Sequence, residues 1–132
     1  MVRVTALCVF RHHDRILVAE GFDSVAGTSF ARATGGAVKD GEASEQAIVR
    51  EIAEELGQRI ENVQLLGVLE SLFTYEGRPR HDATFVDQSV YDRTTLHVSE
   101  AGWIGGAQWR HVHELGSRCR LVPEGLAALL GK

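Results

Sequence analysis

The sequence predicts one α/β domain, in which strands lie on both sides of a single well-marked helix. Its 132 residues, 44% hydrophobic and 24% charged, match the size and composition of one compact domain with its own core. Strand-like runs fill the N-terminal third, an amphipathic helix follows, and further strand-like runs come after it. Because no repeat, low-complexity tract or linker divides the chain, we predict a single domain over residues 1–132.

The N-terminal third predicts a β-hairpin and a third strand. Residues 2–10 are rich in Val, Ala, Leu and Phe, a polar break follows, and residues 16–19 resume the apolar pattern. The small, polar stretch 23–27 indicates a turn. Residues 29–34 are typical of a short strand, which leads into a pair of glycines.

The helix has the clearest pattern in the chain. Ile48, Ile52 and Leu56 recur at four-residue steps, which places them on one stripe that faces a core. Ser44 is the predicted N-cap, since its hydroxyl can accept a hydrogen bond from an unpaired N–H of the first turn. Gly57 fits the position after a helix where the backbone turns left-handed. We therefore predict a helix from Ser44 to about Leu56.

The remainder of the chain predicts more strands and two short helices. Residues 63–73 and 83–91 are typical of two strands joined by a polar turn, and residues 94–98 either extend the second or add another. A short helix is expected over residues 109–115. Pro123 is expected to begin a further helix that carries three leucines.

Charge, apolar content and cysteines exclude several classes of protein. A formal net charge of −4 argues against a general nucleic-acid binder, which needs a basic face to displace counterions from phosphates. No apolar run approaches the roughly 20 residues that a membrane span requires. Cys8 and Cys119 do not make a disulfide framework, so a reducing compartment is favoured. The sequence predicts a soluble, cytoplasmic protein and leaves its oligomeric state open, a homodimer included.

The predicted helix also carries an acidic cluster. Glu51, Glu54 and Glu55 lie three and four residues apart, so their carboxylates project from neighbouring positions on one surface. Glu55 falls beside the apolar stripe, where we expect partial desolvation. Like charges at this spacing repel by roughly 0.2 to 0.5 kcal/mol per pair. Either Arg50 or a divalent cation would offset that repulsion, and a merely solvated acidic face is the alternative.

The residues before the helix make this cluster more specific. Gly36 is followed after five residues by Glu42, and seven residues later comes REIAEELG at positions 50–57. This pattern resembles the signature of the Nudix family at every charged and glycine position. Gln58 stands where the family usually has an apolar residue, and Thr34 stands where a proline often precedes the two glycines. Neither departure touches an expected metal ligand.

The resemblance implies a fold, a reaction and a cofactor. The implied fold is an α/β/α sandwich with a central mixed β-sheet. The implied reaction is Mg²⁺-dependent hydrolysis, with Mn²⁺ as a substitute, of the pyrophosphate bond in a nucleoside diphosphate linked to another group. Nucleoside triphosphates, dinucleoside polyphosphates and nucleotide sugars are such substrates. The alternative is a Nudix-fold module that binds a nucleotide or regulates without turnover, because a fold does not fix a function.

The resemblance also implies a set of site residues. The implied metal ligands are the backbone carbonyl of Gly35 and the carboxylates of Glu51, Glu54 and Glu55. Glu51, Glu54 and Arg50 are the implied catalytic residues, with Arg50 orienting the glutamates through charge-assisted hydrogen bonds. Glu42 would order the loop or hold a metal-bound water. The residue that takes the proton from the attacking water is left open among Glu54, Asp82, Asp92 and Glu100.

Contacts to the substrate are less well specified by the sequence. The candidates are Tyr75, Arg78, Arg80 and Trp103. Tyr75 lies seventeen residues past Gln58, an offset that resembles a feature of relatives that cleave dinucleoside polyphosphates. An aromatic residue in a strand, however, more often serves packing.

The histidines do not predict a zinc site. His12 and His13 fall in the predicted hairpin turn, and His111 and His113 alternate without a nearby acid or a cysteine quartet. We therefore predict structural or solvent-exposed roles for these residues.

Overall fold

The computed structural model describes residues 1–90, 103–104, 107–115 and 119–131. Within these residues, eight strands form one mixed sheet, accompanied by two α-helices and one 3₁₀ turn. The strands are β1 (Arg3–His12), β2 (Arg15–Asp23), β3 (Thr28–Ala37), β4 (Gln64–Tyr75), β5 (Arg78–Val90), β6 (Trp103–Ile104), β7 (Ala107–His111) and β8 (Arg120–Val122). The helices are α1 (Ser44–Leu56) and α2 (Leu126–Leu130), and the 3₁₀ turn spans Val112–Glu114.

The strand order is β4-β5-β1-β3-β2-β7-β6, with β8 pairing with β3. β1 is central, since it runs parallel to β5 and antiparallel to β3. The predicted β1–β2 hairpin is confirmed, but only at its tip, where Arg11 pairs with Ile16 and His12 with Arg15. Beyond the tip, β3 lies between β1 and β2 and pairs with both.

Side chains along each strand point alternately to the two faces of the sheet, and each face packs into a separate core. One core lies between the sheet and α1, and its buried members include Ala6, Cys8, Phe10, Leu17, Ile48, Ile52 and Leu56. The other lies on the opposite face beneath α2, and its buried members include Leu7, Val9, Ile16, Val18, Ala31, Ala33, Leu126 and Leu130. Helices therefore flank a mixed sheet on both faces, which confirms the predicted α/β/α sandwich.

α1 agrees with its predicted span except at the cap. Gly57 is left-handed at φ 65°, as predicted for the residue after the helix. The prediction of Ser44 as N-cap is wrong, because Ala43 occupies the cap and Ser44 is the first helical residue. The Gln46 side chain instead accepts a hydrogen bond from the Ala43 backbone N–H at 2.8 Å. The Gln46 side chain therefore pairs with a backbone N–H at the start of the helix, as the third residue does in a capping box.

The predicted helix over residues 109–115 is also wrong. Its first part belongs to β7, where Trp109 pairs with Leu17 of β2, and only a 3₁₀ turn follows. Trp109 packs against the core beneath α1. Tertiary pairing with β2 overrides the local preference of this segment. The C-terminal helix is confirmed but begins at Leu126 rather than at Pro123.

The two long strands after α1 are confirmed, and they extend further than predicted toward their shared turn. Glu76 and Gly77 form that turn with φ values of 51° and 76°, the left-handed geometry typical of a two-residue hairpin loop. The Glu76 carboxylate accepts a hydrogen bond from the Ser24 backbone N–H at 2.8 Å. The tip of this hairpin is therefore held against the β2–β3 turn. The strand considered for residues 94–98 lies outside the described residues.

The cysteine and membrane predictions can be compared with the fold. Cys8 and Cys119 are both buried and free, and burial raises the pKa of each thiol. Both therefore behave as small core residues, as their sequence context indicates. Among the described helices, none is long and apolar enough to cross a membrane.

Candidate active site

The double glycine near the end of β3, Gly35 and Gly36, lies directly beneath α1. A Cβ atom at Gly36 would lie 2.7 Å from Cδ of Glu51, so a side chain at this position would displace that carboxylate. Gly35 has φ 146°, and a Cβ atom there would lie 2.1 Å from the carbonyl oxygen of Ala6. Gly35 is thus required by its close approach to β1, and Gly36 makes room for the Glu51 carboxylate against β3.

Arg50 connects the acidic residues around the double glycine. Its Nε and Nη2 donate to the two carboxylate oxygens of Glu42 at 2.8 and 3.0 Å. Its Nη1 donates to Glu51 at 2.9 Å and to Glu54 at 3.3 Å. Nη2 also donates to the backbone carbonyl of Ala37 at 2.9 Å. One guanidinium therefore fixes three carboxylates and joins α1 to the end of β3, a use that the fork geometry of arginine favours.

Glu42 orders the loop that leads into α1. Its Oε1 accepts a hydrogen bond from the Lys39 backbone N–H at 3.0 Å in addition to its contacts with Arg50. The hydrogen bonds from Arg50, together with that from Lys39, lower the pKa of Glu42 to about 2. Glu42 is therefore ionised at every pH at which the protein would normally operate.

Glu55 has a different environment from Glu51 and Glu54. Its side chain is exposed as a whole, yet burial raises the pKa of its carboxyl group. The Arg32 charge and a hydrogen bond from the Gly35 backbone N–H act in the opposite direction, while the charges of Glu51 and Glu54 raise the pKa further. The partial desolvation predicted for Glu55 is confirmed, and its carboxylate reaches the double glycine of β3.

Arg32 is a site residue that the sequence interpretation missed. Its Nη1 donates to the backbone carbonyl of Gly35 at 3.1 Å, and it lines a groove of about 220 Å³ beside Glu55. The available signal was the alternation of β3, because Arg32 lies an even number of residues before Gly36 and thus on the same face. The carbonyl predicted as a metal ligand at Gly35 is therefore already hydrogen-bonded on one side.

Comparison with known proteins agrees with this geometry. The sequence matches the family model described as a NUDIX domain over residues 1–128. The chain belongs to the Nudix family. Membership implies hydrolysis of a pyrophosphate bond in a nucleoside diphosphate derivative. No curated protein matches the sequence of this Nudix domain.

Solved structures resemble this Nudix domain over nearly its whole length. The crystal structure of the MutT NUDIX hydrolase from Burkholderia pseudomallei has a TM-score of 0.70 and 26% identity, covering 98% of this chain and 97% of its own. The solution structure of the E. coli ORF135 protein has a TM-score of 0.66 and 21% identity, covering 98% and 86%. The crystal structure of C. elegans Ap4A hydrolase has a TM-score of 0.60 and 15% identity, covering 99% and 95%. The last two likenesses show the shared fold alone.

Two of the predicted substrate residues, Tyr75 and Arg80, contact each other near the β4–β5 hairpin turn. The Tyr75 ring meets the Phe30 ring edge-on, with centroids 5.8 Å apart, and the Arg80 guanidinium carbon lies 5.9 Å from the Tyr75 centroid. Phe30 shares its face of β3 with Arg32, since the intervening Ala31 belongs to the other core. A Cβ at Gly21 would lie 2.4 Å from Cζ of Phe30, so the far edge of the ring lies against Gly21 of β2.

The other two predicted substrate residues are Arg78 and Trp103. Arg78 is exposed at the start of β5, next to the hairpin turn. Trp103 belongs to β6 by its backbone, but its side chain lies outside what the structure describes.

Of the late acids considered as general bases, Asp82 is buried in an ion pair. Its two carboxylate oxygens accept hydrogen bonds from Arg3 at 3.1 and 2.7 Å. This pair bridges the parallel strands β1 and β5, where Arg3 and Asp82 are register partners. Asp82 therefore serves the sheet, which argues against a part in proton transfer. Asp92 and Glu100 lie outside the described residues.

The prediction that His111 and His113 have no nearby acid is wrong. The Nδ1 atom of His111 lies 2.9 Å from a carboxylate oxygen of Asp14. Within the described ranges, this trio is the one group of three His, Cys, Asp or Glu residues whose ligand atoms all lie within 4.8 Å of one another. In the same described ranges the glutamates of α1 do not meet this criterion, although one Arg50 nitrogen donates to both Glu51 and Glu54.

Proposed function

We propose that this Nudix domain hydrolyses the pyrophosphate bond of a nucleoside diphosphate linked to another moiety, by attack of water on phosphorus with a divalent cation. The observation that carries the proposal is the arrangement around Arg50. One guanidinium gathers three signature carboxylates beside the double glycine of β3, where Gly36 makes room for the Glu51 carboxylate. Such an arrangement preorganises oxygen donors for a cation that in turn binds phosphates.

The side chains around the double glycine fit a hard divalent cation. Four carboxylates face two guanidinium groups, which leaves an excess of negative charge that a cation would neutralise; these groups belong to Glu42, Glu51, Glu54, Glu55, Arg32 and Arg50. The donors are all oxygen atoms, which favours Mg²⁺ or Mn²⁺ over softer metals. The proposed ligands are Glu51, Glu54, Glu55 and the carbonyl of Gly35. When bound, the cation supplies charge neutralisation at the phosphates and a more acidic water.

The residues of α1 divide the remaining work. Arg50 is proposed as a positioning residue, because its donors fix Glu51 and Glu54 and tie the helix to β3. Glu54 is the proposed proton acceptor, since its side chain is 56% exposed and its contact with Arg50 is the longest of the set at 3.3 Å. An exposed, weakly held carboxylate can turn toward a water at the groove and take its proton.

The groove beside Glu55 and the residues near it suggest how a substrate would be oriented in the site. Arg32 lies at the groove, Phe30 lies two residues before it in β3 and contacts the Tyr75 ring, and Arg80 lies beside Tyr75. We place the phosphates near Arg32 and Arg80, and the base on the aromatic rings, because bases stack on aromatic side chains and phosphates pair with guanidinium groups. Arg78 and Trp103 stay predictions without further support.

A substrate screen tests the proposal. Nucleoside triphosphates, dinucleoside polyphosphates and nucleotide sugars are incubated with the protein in Mg²⁺ and, separately, in chelator, and products are separated by ion-exchange chromatography. Release of a mononucleotide only with the metal is the expected result. Glu45→Gln, assayed beside Glu55→Gln, is the matched control, since Glu45 is an exposed acid in the first turn of α1. This control should keep the wild-type turnover. Tight nucleotide binding without any product would contradict the enzyme and favour the non-catalytic module.

A further inference from the structure

A second cluster of metal-binding side chains lies at the far end of β1. The turn between β1 and β2 presents Asp14, and the end of β7 with its 3₁₀ turn presents His111 and His113. The Asp14 carboxylate lies 2.9 Å from Nδ1 of His111, and the two imidazole rings have centroids 5.2 Å apart. One ligand atom from each of the three residues lies within 4.8 Å of the other two. We call these three residues the histidine cluster.

The backbone around the histidine cluster is fixed by pairing between strands. Arg15, the residue after Asp14, pairs with His111 in the β2–β7 ladder. The backbone N–H of Val112, which lies between the two histidines, donates to the carbonyl of Asp14 at 2.9 Å. Because the ladder and this hydrogen bond hold both segments, the three side chains start from a fixed frame. Preorganised ligands lose less conformational entropy when they bind an ion.

An ordinary ion pair explains only part of this arrangement. A contact between Asp14 and His111 is satisfied by those two residues alone. That ion pair does not explain why a second imidazole, that of His113, lies beside His111. Two protonated imidazole rings would repel each other. A cation that takes one nitrogen from each imidazole and one oxygen from the carboxylate accounts for all three side chains.

We propose that Asp14, His111 and His113 bind a divalent transition-metal ion, with Zn²⁺ as the first choice. Two neutral imidazoles and one carboxylate suit zinc and its neighbours, whereas Mg²⁺ prefers oxygen ligands alone. Water completes the coordination, since three protein ligands leave a position open at a solvent-exposed site. The ion would tie the β1–β2 turn to the segment after β7 and stabilise the folded state by mass action.

Calorimetric titration with Zn²⁺ tests this proposal on the whole chain. A large excess of Mg²⁺ is present throughout, so that the oxygen-rich site on α1 does not take up zinc. We expect one Zn²⁺ per chain for the wild type, and an affinity lower by more than about tenfold for His113→Ala. His81→Ala is the matched control, because His81 also contacts a carboxylate, Glu70 at 2.8 Å, but belongs to no described group of three. This control should retain the wild-type affinity.

A spectroscopic readout keeps the test independent of any folding defect in the variant. In imidazole ¹H–¹⁵N spectra of the wild-type protein, Zn²⁺ should shift the signals of His111 and His113 and leave those of His81 in place. Equal zinc isotherms for the wild type and His113→Ala would overturn the proposal. So would a zinc site that disappears in Glu51→Gln while surviving in His113→Ala.

Discussion

The proposed glutamate site on α1 and the proposed zinc site at the histidine cluster lie toward opposite ends of the same strand, β1. Gly36 of the first pairs with Ala6 of β1, whereas Asp14 of the second follows the end of β1 at His12. Ala6 and His12 are six residues apart in an extended strand, which corresponds to about 20 Å. The first site offers only oxygen donors, and the second offers two imidazoles and a carboxylate. In this proposal, β1 supports two sites that would favour different classes of cation.

The two sites also differ in how the sequence assembles them. The glutamates and Arg50 lie within one helix, so their spacing alone places them on one surface. Asp14 and His111 are 97 residues apart in the chain, and only the pairing of β2 with β7 brings them together. Local periodicity therefore reveals the first kind of site, and sheet topology is needed for the second.

The largest expected effect separates the two sites by function. Glu55→Gln should lower turnover by at least about 100-fold, because it removes a proposed cation ligand without changing the shape of the side chain. Steady-state product release with saturating Mg²⁺ measures this loss. The same variant should bind Zn²⁺ at the histidine cluster as the wild type does. Wild-type turnover in Glu55→Gln would remove this residue from the proposed site.

Arg50 should show the next largest effect. Arg50→Ala leaves Glu42, Glu51 and Glu54 without their shared guanidinium, and we expect turnover to fall by about 100-fold and the melting temperature to drop. Arg50→Lys restores the charge but not the forked contacts, so it should recover only a small part of the activity. Both values come from kinetic assays and thermal unfolding. Full recovery by lysine would show that charge alone matters.

Substitution at the double glycine should have a smaller effect. Gly36→Ala places a methyl group 2.7 Å from Cδ of Glu51, so the carboxylate must move, and we expect about a tenfold loss of turnover. Gly131→Ala is the control, since a Cβ atom there meets only ordinary contacts at 3.6 Å. Mg²⁺ dependence of the rate measures the change. Equal turnover in Gly36→Ala and Gly131→Ala would contradict the role given to the close contact between Gly36 and Glu51.

The smallest expected effect is a pH dependence of stability that arises from Glu42. Its pKa is lowered from 4.5 to about 2 in the folded protein, so the ionised pair with Arg50 stabilises the fold fully above about pH 4.5. This contribution is lost as the pH falls toward 2. Glu42→Gln should therefore unfold more easily than the wild type at pH 6, and the difference should shrink at pH 3. Urea denaturation at both pH values, with Glu45→Gln as control, measures it.

Much of the fold and part of the site follow from local patterns in the sequence. The stripe of Ile48, Ile52 and Leu56 predicted α1 and its buried face, and the spacing from Gly36 to Gly57 predicted the family. These features depend on residues that are neighbours along one helix and its loops. Their relative positions follow from the roughly 3.6-residue period of an α-helix, which every helical sequence shares.

What the sequence could not predict depends on contacts between distant segments. Trp109 was assigned to a helix, because its pairing with Leu17 of β2 leaves no mark on the local sequence. Arg32 and Phe30 enter the site through the alternation of β3 and through the hairpin tip that carries Tyr75. The identity of such neighbours is decided by the order of strands in the sheet, which residue patterns along the chain specify only weakly.

Hydrolysis in H₂¹⁸O, followed by ³¹P NMR, tests the central claim most directly. With Mg²⁺ and a substrate found in the screen, the wild-type protein should release a phosphate product whose signal carries the small shift caused by one ¹⁸O atom. Glu55→Gln should yield almost no labelled product over the same time. Cleavage that leaves ¹⁸O out of every phosphorus product, or proceeds equally in chelator, would contradict the account.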